Sequence, residues 1–229
     1  MNNSNIVLRA TNLHKKFYYP RKVTILSGVS LSIHAGETVA IMGRSGEGKS
    51  TLLQLLGTLE NPCQGSIEIL NQPVTLFNKS KIRNRHIAFI FQSFHLLDDY
   101  TALDNILIPA KIARHDTGRG SKAHKRAFDL LEKVGLLDRA NFTTKLLSGG
   151  EKQRIAIARA LCNNPDIIFA DEPSGNLDNE TACIIHRLLL DVAEEGKSII
   201  MVTHDPKLAS MCMTQYELKQ GSIHNAIQA

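Results

Sequence analysis

The residues Gly43-Arg44-Ser45-Gly46-Glu47-Gly48-Lys49-Ser50-Thr51 have the spacing G-x-x-x-x-G-K-[ST]. That pattern suits a nucleotide phosphate, because glycines let backbone N–H groups converge on an anion and a helix N-terminus adds positive potential. In such a cradle Lys49 reaches the β- and γ-phosphates and the Ser50 hydroxyl ligates Mg²⁺. Other places carry compatible chemistry. Asp171 and Glu172 are adjacent acids at the end of an apolar run. The first suits the Mg²⁺ shell, and the second can polarise an attacking water as general base. Gln92 also ends an apolar run; its amide can ligate Mg²⁺ or hold a water, and its plainer reading is a solvated loop residue. His204 follows a third run and can hydrogen-bond a γ-phosphate, although a lone histidine is more often structural. Ser148-Gly149-Gly150 offers a hydroxyl and two glycine N–H groups ahead of a helix, which makes either a second anion site or simply a cap.

These residues need elements to hold them. The run Thr38–Met42 reads as a buried strand and Ser50–Gly57, rich in leucine, as the helix after the cradle. Ile87–Phe91, Asp166–Ala170 and Ser198–Thr203 read as further buried strands, each delivering a candidate residue at its C-terminal edge, where open α/β sheets bind ligands. Ile6–Leu8 and Val29–Ile33 read as short strands, with Val23–Leu26 a further apolar piece between them. The intervening Leu13–Pro20 is basic and aromatic, and Phe17 or Tyr18 can either stack on a purine or pack on a small β-layer. Ser66–Leu70 is another strand, closed by Asn71-Gln72-Pro73. Residues 93–146 carry mainly helical pattern, with a helix capped near Thr101 and another over Ala123–Val134. Between them, Arg114–Lys122 with His124, Lys125 and Arg126 is the strongest positive cluster, read as a solvated face or as a contact for anionic lipid or nucleic acid. A helix over Gln153–Leu161, a turn Ser174–Asp178 entering a helix, and a closing hairpin over Tyr216–Leu218 and Ser222–His224 complete the chain.

The 229 residues allow one large domain or two small ones with ample core, at 43% hydrophobic and 21% charged content. An excess of +5 permits an anionic partner without requiring one. Cys63, Cys162, Cys183 and Cys212 are far apart, so neither a metal-ligand set nor a disulfide framework is expected, and a reducing cytosolic setting fits. The opening Met1-Asn2-Asn3-Ser4-Asn5 lacks the basic and apolar pattern of a signal peptide, and no run is long enough for a membrane helix.

Taken in order, the motifs resemble the ATP-binding-cassette ATPases across nearly the whole chain. The resemblance identifies the glycine loop as Gly43–Thr51, the glutamine loop at Gln92, the signature as Leu147–Glu151, the catalytic acid as Glu172, and the switch histidine as His204. The loop between acid and helix is Ser174–Asp178, and Phe17 matches the adenine-stacking aromatic, with Tyr18 second. It implies a P-loop α/β fold with a mainly parallel sheet, an antiparallel N-terminal β-layer and an inserted helical subdomain. Residues 1–92 and 165–229 would form the ATP-binding core, and 93–164 the helical subdomain. ATP and Mg²⁺ are the implied ligands. Ser50, Gln92 and Asp171 are the implied metal residues, with Asp178 among those around the nucleotide. The stretches Phe91–Leu97, Tyr100–Asn105 and Asp171–Asp178 are similar to those of lipoprotein-releasing and macrolide-exporter-like ATPases. That implies a homodimer with nucleotide between its halves, attached to integral membrane subunits at the cytoplasmic face of the inner membrane, with no nucleic-acid partner. A regulatory cassette of the cell-division type is the alternative.

Overall fold

The computed structural model describes residues 5–19 and 21–226, so most of the stretch read as lacking a signal sequence lies outside the described residues. The chain runs β1 (Ile6–Phe17), β2 (Val23–His34), β3 (Thr38–Met42), α1 (Lys49–Leu56), β4 (Gln64–Ile69), β5 (Gln72–Pro73), α2 (Lys79–His86) and β6 (Ile87–Phe91). It continues through α3 (Ala102–Ile112), α4 (Lys122–Lys133), α5 (Gly149–Leu161), β7 (Ile167–Asp171), α6 (Asn179–Glu194), β8 (Ser198–Val202), α7 (Pro206–Ser210), β9 (Thr214–Lys219) and β10 (Ser222–Asn225).

Two sheets form. The first is antiparallel in the order β2-β1-β4-β5; the second has the order β10-β9-β3-β8-β7-β6. Within the second, β3, β6, β7, β8 and β9 run parallel and only β10 is antiparallel. Parallel strands buried on both faces read as continuous apolar runs, which is why Ile167–Ala170 and Ile199–Met201 are fully buried.

The period-two alternation of these strands divides the core. Ala40, Ile168, Ala170, Ile199 and Met201 face a cluster built from α3, α4, α5 and α6. Val39, Ile41, Ile167, Phe169, Ile200 and Val202 face the leucines of α1 and the inner side of the antiparallel layer, including Leu8, Leu13, Leu26 and Ile33. The parallel sheet is therefore the shared wall between a β-layer and a helical layer.

Several sequence expectations change. The basic stretch after Leu13 is not a connection: β1 continues to Phe17, because its residues pair with Val23–Val29 of β2 through bulges that absorb the polar positions. The two apolar pieces around Ser27 are one strand, bent at Gly28. Leu70 and Asn71 adopt positive φ and turn the chain into the short β5, so the predicted closing turn is itself partly strand. The helix α2 has only Ile82 buried and so lacks the apolar periodicity that would announce it. The closing hairpin forms, and β9 also joins the main sheet beside β3, a pairing local pattern does not specify. No helix among the described residues is long and apolar enough to cross a membrane.

Phe169 is fully buried, with its ring 5.4 Å from that of Phe89. Phe169→Ala removes that packing and leaves a cavity beside the buried strand β7, so chemical denaturation should show a loss of about 3–5 kcal/mol.

Candidate active site

The sheet register builds the site. Ile41 pairs with Val202, Val202 with Asp171, and Asp171 with Phe91, so four adjacent strands end at one level. The residues just beyond that level are the start of the cradle, His204, Glu172 and Gln92. A cavity of about 430 Å³ opens there, lined by Ser45, Gly46, Gly48, Lys49, Ser50, Thr51, Gln92, Glu172 and His204.

The cradle spans the gap between β3 and α1. Gly48 has φ 95° and is the N-cap of α1, and a Cβ there would run into Ile25 of β2. Only glycine meets both demands. The Lys49 ammonium donates to the carbonyl oxygens of Gly43 at 2.9 Å and Arg44 at 3.0 Å, folding back over the loop. The Glu47 N–H donates to the Arg44 carbonyl at 3.3 Å, tightening the turn. Gly43, Arg44 and Glu47 shape the loop without lining the cavity.

The Ser50 hydroxyl donates to Asp171 Oδ1 at 3.1 Å, and Asp171 itself does not line the cavity. Burial pushes the Asp171 carboxyl above its usual pKa, and the neighbouring Glu172 adds to this; Ser50 and Lys49 act the other way. A half-buried carboxylate beside a hydroxyl is a hard-oxygen donor set that fits Mg²⁺. Glu172 lies in the left-handed region at φ 47°, with its N–H on the Val202 carbonyl at 2.9 Å. Its Oε2 lies 2.7 Å from His204 Nδ1 and accepts from the His204 backbone N–H at 3.3 Å. Gln92 donates from Nε2 to Asn176 Oδ1 at 3.1 Å, and Asn176 returns a hydrogen bond to the Gln92 carbonyl at 3.3 Å.

The signature is more helical than its sequence suggests. Helix α5 starts at Gly149 rather than Gln153, and Ser148 and Glu151 form a reciprocal capping box. The Ser148 N–H donates to Glu151 at 2.8 Å, which with the Ser148 hydroxyl and Arg139 lowers the Glu151 pKa. A Cβ on Gly150 would overlap Thr181 of α6, so the first turn lies against that helix. Asp178 caps α6, accepting from Glu180 at 3.1 Å and Thr181 at 3.0 Å. Ser148 and Gly149 are exposed, and no signature residue lines the cavity of its own chain.

Phe17 ends β1 opposite Val23, two residues from the cavity-lining Ile25, and is 41% exposed with Lys15 Nζ 5.1 Å from its ring centroid. Neither Phe17 nor Tyr18 lines the cavity. Sequence reasoning gave no role to Ile25, Val202 or Asn176. Ile25 and Val202 looked like ordinary apolar strand residues, and Asn176 shows its part only when the loop after β7 reaches Gln92. A groove of about 540 Å³ walled by α2, β6 and α3, including Phe91, His95, Ile108 and Ile112, overlaps the stretch Phe94–Ile108 in which the family resemblance implies a groove for the membrane partner. Arg159 of α5 lies in it, donating to the carbonyls of Phe94 and His95.

Residues 26–175 match the ABC transporter family model. The chain is 58% identical over 222 residues to the lipoprotein-releasing system ATP-binding protein LolD of Protochlamydia amoebophila, covering 96% of this chain and 97% of that one. It is 42% identical over 226 residues to LolD of Alcanivorax borkumensis, covering 96% and 98%. Among solved structures it superposes at TM-score 0.85, with 38% identity and coverage of 95% and 96%, on the dimeric post-hydrolysis state of the ATP-binding cassette MJ0796 bound to ADP and Pi. On the family match and on relatives covered over nearly their whole length, the chain belongs to the ABC transporter family as an ATP-hydrolysing cassette.

Proposed function

We propose that the protein is the ATPase subunit of a lipoprotein-releasing system, working as a homodimer with Mg·ATP held between two copies and attached to integral membrane subunits. The observation that carries this reading is the separation of the signature from the cavity. Ser148, Gly149 and Gly150 present a helix N-terminus to solvent, while Lys49 and Ser50 wait at the other site. A helix N-terminus attracts phosphate, and in a symmetric pair each signature can cover the partner's cradle. The dimeric MJ0796 cassette and the names of the LolD relatives support the same assembly.

In this reading residues 1–92 and 165–229 form the ATP-binding core and 93–164 the helical part. Lys49 exchanges its carbonyl partners for phosphate oxygens, and the glycine N–H groups take the anion. Phe17 or its neighbour Tyr18 stacks on adenine. Ser50, Asp171 and Gln92 are the residues that would hold Mg²⁺, which neutralises phosphate charge when bound. Glu172 takes the proton of the attacking water, and His204, already 2.7 Å away, positions that carboxylate and donates toward the γ-phosphate. Asp178 and Asn176 hold the loop that meets the partner. The groove beside Phe91 and Ile108 receives a segment of the membrane subunit. Gln92 directly follows the groove-lining Phe91 and contacts Asn176, which links partner docking to the site. This puts the chain at the cytoplasmic face of the inner membrane, bound through its partner rather than by a span of its own.

Glu172→Gln keeps the phosphate and Mg²⁺ contacts and loses the base. ATP turnover should fall at least about a hundredfold while ATP-bound dimers accumulate in size-exclusion chromatography; rapid turnover would sink the assignment. In the wild-type chain, turnover per molecule should rise with protein concentration until the dimer saturates, and a flat profile contradicts a shared site. Ile108→Asp puts a charge in the apolar groove and should lower co-purification of the membrane subunit at least about tenfold, with ATP-dependent thermal stabilisation retained as the control for folding.

A further inference from the structure

The positive charge of this protein is concentrated in one place. Residues 111–126 contain six Lys or Arg and one Asp, an excess of five that equals the formal excess of the whole chain. The remainder is balanced. Two of the six cations have structural work: Lys111 pairs with Asp104 at 3.3 Å, and Arg126 donates to the last carbonyls of α5, Leu161 at 3.0 Å and Cys162 at 3.0 Å. The side chains of the other four, Arg114, Arg119, Lys122 and Lys125, are exposed and make no hydrogen bond or ion pair among the described residues. Asp116, the one acid of the segment, accepts from the Gly118 N–H at 2.9 Å and forms an ion pair with none of them.

Their position works against folding. Lys122 and Lys125 stand in the opening turns of α4, whose first turn has no acid. Cations at a helix N-terminus oppose the helix dipole and would be replaced by acids if stability alone chose them. A local rule broken without gain inside the chain points to a partner outside it.

Three observations favour a lipid surface. The basic loop continues directly from α3, whose Ile108 and Ile112 wall the groove assigned above to the membrane subunit. Ile112 is 67% exposed between Lys111 and Arg114, giving the apolar-plus-basic pairing of an interfacial segment. The opposite wall, α2, also carries exposed and unpaired cations, Lys81 and Arg85. Exposed positive charge is therefore present on α2 as well as beside α3. An anionic bilayer attracts such side chains within a Debye length of its surface, whereas neutral lipid does not.

We infer that Arg114, Arg119, Lys122 and Lys125, with Ile112, form a contact for anionic lipid headgroups that seats the ATPase against the bilayer beside its membrane subunit. The inference rests on the groove assignment for its orientation. The attraction is weak alone and adds to protein docking as a second signal, in the way paired anchors combine.

The test uses the purified full-length chain and sedimentation with vesicles of phosphatidylethanolamine, with and without phosphatidylglycerol. The wild-type chain should bind the anionic vesicles, release as salt rises, and ignore the neutral ones. The combined variant Arg114→Gln, Arg119→Gln, Lys122→Gln, Lys125→Gln should bind on the order of a hundredfold more weakly, with ATP turnover unchanged. A charge-keeping variant, Arg114→Lys with Arg119→Lys, should bind like wild type. Equal binding to both vesicle types, undiminished binding by the neutralised variant, or binding to RNA in preference to anionic vesicles would overturn the inference. In detergent the neutralised variant should still co-purify with the membrane subunit, whereas Ile108→Asp should not; failure of the groove and failure of the lipid contact therefore give different results.

Discussion

The site depends on the register of four parallel strands. Because Ile41, Val202, Asp171 and Phe91 are at one level across the sheet, the residues that follow converge on a single edge. A slip of one residue in β7 would turn Asp171 and Glu172 to opposite sides of their present positions and bury an acid in an apolar core. Such a slip is costly because both faces are already packed, one by α1 and the β-layer, the other by the helices. Core packing and catalytic geometry are thus one constraint seen from two sides.

The same arrangement explains how separate regions report to one cavity. Ile25 reaches it from the β-layer and packs where Gly48 leaves room. From the helical side, Gln153 of α5 donates to the Pro173 carbonyl at 2.6 Å, tying that helix to the loop that follows Glu172. Ser174 in that loop meets the buried His186 of α6 at 2.8 Å, and burial holds the imidazole pKa below its usual value. Arg159 grips Phe94 and His95 just beyond Gln92. Helices α5 and α6 therefore have direct polar contacts with the loops that follow β6 and β7.

Unsatisfied chemistry is held in reserve rather than left bare. Lys49 caps the carbonyls of its own loop, Ser50 holds Asp171, and Glu172 leans on His204. The first of these contacts is local, and the other two join residues 121 and 32 positions apart. The signature is poised in a comparable way: its capping box satisfies Ser148 and Glu151 while leaving the first turn open to solvent.

Much of this was legible in the chain. The cradle, the apolar runs of β3, β6, β7 and β8, and the edge residues Gln92, Asp171, Glu172 and His204 follow from local pattern, because a strand buried on both faces must be continuously apolar and its ligand residues must lie past its end. The caps at Thr101 and Asp178 are equally local. Tertiary structure decided the rest. It extended β1 through a polar stretch by pairing it with β2, formed α2 without an apolar stripe, and set β9 beside β3. It also brought Asn176 to Gln92 across 84 positions and left Ser148–Glu151 outside the cavity beside the glycine loop of its own chain. Spacing along a chain records which groups can do chemistry. Only long-range packing determines which of them meet, because contacts between distant segments depend on the whole core and not on any one stretch of sequence.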